Sequence, residues 1–152
     1  MIDIEVEADD WSAALPDVEA VVERAALAAM GAVQGGLVVL LTDNEAVRDL
    51  NARFRDKDRP TNVLSFPAAE MPGDLEPHLG DIVLAYGVCR DEAVEQGKSL
   101  QHHLSHLVVH GVLHVLGRDH EIEDEAEAME AEERVILAGL SIDDPYRLPD
   151  DV

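Results

Sequence analysis

The chain of 152 residues has a single cysteine, Cys89, so no disulfide can brace it from within. At this length none is needed, because a domain of such size buries roughly two-thirds of its unfolded surface. A lone thiol fits a reducing cytoplasm, and Cys89 is expected to be a small buried hydrophobe. Long apolar runs are also missing. Ala25 to Val33 and Leu37 to Leu41 are far too short to cross a bilayer. The first ten residues lack a basic n-region and an apolar h-region. A soluble, cytoplasmic protein with no membrane partner is expected. Basic residues are scarce as well, 11 against 33 acidic ones, for a net charge of -22. Such a chain repels polyanions as a whole, which excludes promiscuous nucleic-acid binding and argues against DNA as a partner.

The few cations that are present are clustered. Arg48, Arg53, Arg55, Lys57 and Arg59 fall within one short segment, where an anionic ligand would meet the protein. An acidic run from Glu121 to Glu133 follows a group of histidines further on.

Periodicity predicts a half-buried strand at Ile2 to Glu7 and a helix over Asp17 to Met30, with Pro16 as its first position. A buried strand follows at Leu37 to Leu41, then a helix capped by Thr42 or Asp43 that runs to about Phe54. Asp56 to Thr61 reads as a charged loop, Asn62 to Phe66 as a strand and Ala68 to His78 as an irregular excursion. Asp81 to Ala85 is the fourth strand, and helices follow over Gly87 to Gln96, Leu100 to Leu116 and Glu123 to Ala138. No repeat or linker divides the chain. The pattern predicts one α+β domain over residues 1–152, a small mixed four-stranded sheet packed with about five helices. Periodicity leaves the strand order open.

The segment from His110 to His120 carries the strongest chemistry. His110 and His114 stand one turn apart on one helical face, where both imidazoles can reach a single zinc ion. Gly117 is the expected helix stop, after which His120 returns as a third ligand. Three protein ligands leave one position open, as in catalytic rather than structural zinc sites. The spacing is similar to that of zinc metalloproteases whose helix reads His-Glu-x-x-His. Here Gly111 occupies the place of their general-base glutamate, so peptide hydrolysis does not follow.

The whole stretch resembles the His-Gly-x-Leu-His-x-x-Gly-x-Asp-His signature of the YbeY family, bacterial metal-dependent endoribonucleases that mature ribosomal RNA. The likeness extends to Leu50-Asn51, Arg55, Asp58 to Pro67, Leu79 to Ile82, the acidic helix and Asp144-Pro145-Tyr146. It covers most of the chain from about residue 37 onward. One departure is Arg118, where the family usually has tyrosine. The resemblance implies one Zn2+ per chain held by His110, His114 and His120, and a part for Arg55 in activity. It implies single-strand-specific cleavage in late 16S rRNA 3′-end maturation and ribosome quality control, with ribosomal RNA and small-subunit proteins as partners.

A physical reason for Arg55 is available: phosphodiester cleavage builds charge on nonbridging oxygens, which guanidinium meets as a rigid fork. Lys57 and Arg59 are then expected to steer the RNA backbone, whereas Arg48 and Arg53 read as solvated. Asp119 either orients an imidazole or caps the following helix. His103 and His106 share the ligand face of the helix but lie one or two turns upstream, suited to packing or indirect support. His78 and His102 have no assigned role, Asp81 reads as structural, and Ser65 lacks a base partner. The acidic helix reads as a solvated face with Ala126, Met129 and Ile136 inward, or as a docking surface for basic ribosomal proteins. Two rivals remain: a zinc hydrolase acting on a peptide or ester, and a noncatalytic zinc-containing assembly factor.

Overall fold

A computed structural model describes residues 2–67, 78–117 and 123–142. The order of elements is β1 (Ile2–Val6), α1 (Asp9–Ala14), α2 (Val18–Met30), β2 (Gly36–Thr42), α3 (Asn44–Arg55), β3 (Val63–Pro67), β4 (His78–Ala85), α4 (Tyr86–Gln96), α5 (Leu100–Val115) and α6 (Glu123–Gly139). The strands form one sheet in the order β1-β2-β4-β3. β1, β2 and β4 run parallel, and β3 lies antiparallel to β4 at the edge. The expected α+β class and mixed four-stranded sheet are both present.

Alternation along the strands explains the two layers. In β2, Leu37, Val39 and Leu41 are buried on one face, and in β4 Ile82 and Leu84 continue that face. α2 and α5 cover it with Val22, Ala25, Leu104, Val108 and Val112. The opposite face carries a smaller cluster in which Val47 of α3 meets Leu64, Val83 and Ala85. α3 is well specified locally. Asp43 accepts a hydrogen bond from the Ala46 amide at 2.8 Å, and Asp56 closes the helix in the left-handed region at φ 57.

Two features depart from the sequence expectation. There are six helices among the described residues, because α1 forms over a segment with no helical periodicity to reveal it. Its anchor is tertiary: Trp11 is fully buried, donates from Nε1 to the Thr42 carbonyl at 2.9 Å and packs edge-on against Tyr86 at 5.2 Å. Second, β4 begins at His78 rather than Asp81, pairing with β2 across an irregularity at Gly36/Leu37. Gly80 permits this, since a Cβ there would stand 2.6 Å from the Phe66 carbonyl oxygen.

Candidate active site

Helix α5 starts at Ser99, whose hydroxyl accepts from the His102 amide at 3.1 Å. From that cap, four histidines follow along one face at three- and four-residue steps. The ring centroids of His103, His106, His110 and His114 are 6.2, 6.4 and 4.7 Å apart in succession. The ladder is oriented by carboxylates from two other helices. Glu92 of α4 lies 2.9 Å from His103 Nε2, and Glu133 of α6 reaches the next two rungs. One Glu133 oxygen bonds His110 Nδ1, and the other is 3.3 Å from His106 Nε2.

Glu133 corrects the expectation of a solvated acidic face, for it is completely buried. A buried carboxylate is costly unless it is paired and hydrogen-bonded, and the two imidazoles meet that need. Its position follows the core periodicity of α6. Met129, Glu133 and Leu137 repeat every fourth residue, and all three are buried on the inward stripe of α6. A histidine whose Nδ1 is engaged by a carboxylate is the arrangement typical of metal-ligating histidines, and His110 has that carboxylate in Glu133. His114 stands one turn on, at the end of α5. Among the described residues, no group of three or more His, Cys, Asp or Glu side chains is arranged to hold a metal ion. The third expected ligand, His120, lies outside the described residues, together with Arg118, Asp119 and the Asp144-Pro145-Tyr146 motif.

Burial lowers the pKa of His103, with Glu92 pulling partly the other way. Cys89 is the small buried hydrophobe expected, and burial, helped by Glu92, pushes its thiol pKa up. Glu92 has a further role: it accepts from Asn62 Nδ2 at 3.1 Å, tying the start of β3 to the histidine ladder.

Gly111 faces the sheet. A Cβ at this position would lie 3.1 Å from Ile82 Cγ2 and 3.2 Å from Ser65 Oγ. The missing glutamate of the protease pattern therefore has a steric reason, since a long side chain would be driven into β3 and β4. The same close approach brings Ser65 against the residue that follows His110. Arg55, the last residue of α3, donates from Nη2 to the Ser65 carbonyl at 3.1 Å. Two segments far apart in sequence, the end of α3 at Arg55 and α5 at Gly111, thus meet at Ser65.

Lys57 and Arg59 line a cleft of about 230 Å3 together with Arg55, Asn51 and Thr61. Its loop is pinned from beneath. Asn51 is buried and donates from Nδ2 to the Arg59 carbonyl at 2.9 Å, and Arg48 pairs with Asp58 at 2.8 Å. Arg48 and Arg53 are exposed, as expected, but each has a carboxylate partner, Asp58 and Asp49 respectively. No carboxylate of the described residues pairs with Arg55, Lys57 or Arg59. In a chain of charge -22 that is an unusual concentration of cations without a carboxylate partner among the described residues. His78 and Asp81, left without function by the sequence, pair with each other at 2.8 Å.

A sequence model described as Endoribonuclease YbeY matches residues 3–141. The chain belongs to this family. It is 54% identical to the endoribonuclease YbeY of Azorhizobium caulinodans, over 97% of each chain. It is also 54% identical to that of a Chelativorans species, over 95% of this chain and 92% of the relative. The solution structure of TM1509 from Thermotoga maritima superposes over 100% of this chain and 99% of its own, with a TM-score of 0.56 and 24% identity. That likeness concerns the fold alone. In this YbeY member, sequence reasoning placed His110 and His114 on one helical face and singled out the basic loop. It missed Glu133 and the carboxylate Glu92, both hidden in acidic stretches that read as surface.

Proposed function

We propose that this protein is a zinc-dependent endoribonuclease that cuts single-stranded RNA between the α5 histidines and the basic loop. One observation carries the reading: Glu133 orients His110 one turn from His114 on α5, and the same helix at Gly111 and the end of α3 at Arg55 both meet Ser65 of β3. Membership of a family whose relatives are named endoribonucleases supports RNA as the substrate.

His110, His114 and His120 would hold the ion. When bound there, zinc would supply Lewis-acid polarisation and lower the pKa of water. The chain's own groups do the rest. Glu133 fixes the His110 ring through Nδ1. Arg55 uses one of its five N–H donors on Ser65, leaving the others for the nonbridging oxygens on which charge develops. Lys57 and Arg59 take the flanking phosphates in a cleft whose floor is fixed by Asn51. Peptide hydrolysis is disfavoured because Gly111 has no room for a general-base side chain.

The substrate in the cell would be ribosomal RNA, with action in late 16S 3′-end maturation and ribosome quality control in the cytoplasm. Small-subunit proteins would deliver the enzyme. Asp124, Glu125 and Glu127 are exposed on α6 and offer basic ribosomal proteins a complementary surface that would offset general repulsion from RNA. No helix of the described residues is long and apolar enough to cross a membrane.

The test is single-turnover cleavage of a single-stranded RNA by wild type and Arg55→Ala at equal zinc occupancy. Loss of one preorganised donor to developing charge predicts a fall of roughly 100- to 1,000-fold in the chemical step. A folded, zinc-loaded Arg55→Ala protein that cuts at the wild-type rate would remove Arg55 from the reaction. Absence of cleavage by wild type with zinc present would favour an assembly factor.

A further inference from the structure

The chain has only two phenylalanines, and both line the same groove. Phe54 and Phe66 meet edge-on, with ring centroids 5.6 Å apart and planes at 69°. Phe54 is 66% exposed, at the end of the helix that carries Arg55. The groove encloses about 430 Å3 on the sheet face that α3 leaves partly open. Leu40 and Leu50 extend its apolar wall, and Glu5 and Asp81 add carboxylates. An exposed aromatic ring contributes nothing to the core, so its position asks for another reason.

Arg55 joins this groove to the basic cleft. Its guanidinium carbon is 5.9 Å from the Phe66 ring centroid, and the same side chain lines the cleft with Lys57 and Arg59. Apolar aromatic surface therefore continues directly into cations that no carboxylate of the described residues pairs. That sequence of surfaces matches a nucleotide: a flat ring with π faces, followed by an anionic phosphate. Unpaired bases of single-stranded RNA stack on aromatic side chains and on arginine planes, while phosphates follow a positive groove. The two carboxylates fix the orientation. Glu5 and Asp81 repel phosphate, but Glu5, and the Asp81 oxygen that His78 does not engage, are suited to accept hydrogen bonds from exocyclic amino groups of bases.

We infer that the Phe54–Phe66 groove is a nucleobase-binding subsite, which seats one unpaired base while Arg55, Lys57 and Arg59 hold the adjoining phosphates. The inference rests on the RNA reading above and adds to it where the substrate is gripped. An amino-bearing base, adenine, cytosine or guanine, suits the carboxylates better than uracil.

The experiment uses full-length protein and a 2′-O-methyl hexaadenylate, which cannot be cut through its 2′-hydroxyls, beside an abasic hexamer of equal charge. Phe54→Trp places an indole in the groove, and the native Trp11 is fully buried and does not contact it. Hexaadenylate should quench that indole on binding, and the abasic hexamer should not. Phe54→Ala should weaken hexaadenylate binding roughly 5- to 150-fold, the range carried by one stacked base, with abasic affinity unchanged. Lys57→Ala with Arg59→Ala should weaken both ligands. Equal affinity of wild type and Phe54→Ala for hexaadenylate overturns the subsite and leaves the basic cleft standing. A wild-type dimer that Phe54→Ala converts to monomer, without change in RNA affinity, would instead make the groove a contact between copies. If wild type binds neither hexamer, the RNA reading falls and this inference with it.

Discussion

Replacing Glu133 by glutamine tests whether the buried carboxylate serves the histidine site or merely packs. The side chain is fully buried, with one oxygen on His110 Nδ1 and the other 3.3 Å from His106 Nε2. Glutamine keeps the shape but offers one acceptor and one NH2 group. One imidazole N–H then loses its acceptor and faces a donor. Leaving such a buried group unsatisfied costs about 1–3 kcal/mol, so the metal-free midpoint should fall by roughly 2–10 °C. The effect on the metal should be separate and larger in kind. Removing a carboxylate that orients a ligating histidine typically weakens metal binding 10- to 100-fold. Competition with a chromophoric chelator measures that affinity directly, and the visible spectrum of the cobalt-substituted protein reports the ligand geometry. Glu127→Gln, on the exposed face of the same helix, should change neither. If Glu133→Gln kept wild-type zinc affinity and an unaltered cobalt spectrum, the carboxylate would be packing only.

Other outcomes follow from neighbouring groups. Gly111→Ala places a methyl 3.1–3.3 Å from Ile82 and Ser65; the overpacking cost of about 1–3 kcal/mol should outweigh a helix-propensity gain of about 1 kcal/mol, as denaturant titration would show. His103 has a folded-state pKa below its ordinary value of 6.5, so the unfolded chain binds the proton more readily. Its contribution to stability is thus complete above about pH 6.5 and lost as pH falls towards the lower folded value; His103→Gln should flatten that limb of the stability-against-pH curve. Asn51→Ala removes the donor to the Arg59 carbonyl, and should cost about 1 kcal/mol of stability while weakening RNA binding through a looser loop. The Cys89 thiol, buried and with its pKa pushed up, should react with a thiol reagent at pH 8 only at the rate of unfolding.

Much of this fold is legible because its elements are locally determined. The Asp43 cap, the alternating β2 strand and the Ser99-initiated α5 each state their own structure in a few residues. The histidine pair is legible for the same reason, since i and i+4 spacing on a helix fixes a shared face. What escapes is whatever depends on a distant partner. α1 is held by Trp11 reaching Thr42, 31 residues away in sequence. The extra residues of β4 need Gly80 to clear the Phe66 carbonyl. Glu133 looks like one more charge in an acidic helix until α5 supplies two imidazoles. Gly111 reads as an absent catalytic group, whereas its neighbours Ile82 and Ser65 show that it is a point of close packing. The groove between Phe54 and Phe66 is likewise invisible before α3 and β3 are brought together.

The most direct test of the central claim is zinc content of the purified full-length protein, measured beside RNA cleavage for wild type and His114→Ala. The account predicts about one zinc per chain in wild type, with metal and cleavage lost together in a His114→Ala protein that retains its circular dichroism. A folded, zinc-free His114→Ala protein that still cuts RNA at the wild-type rate would contradict it.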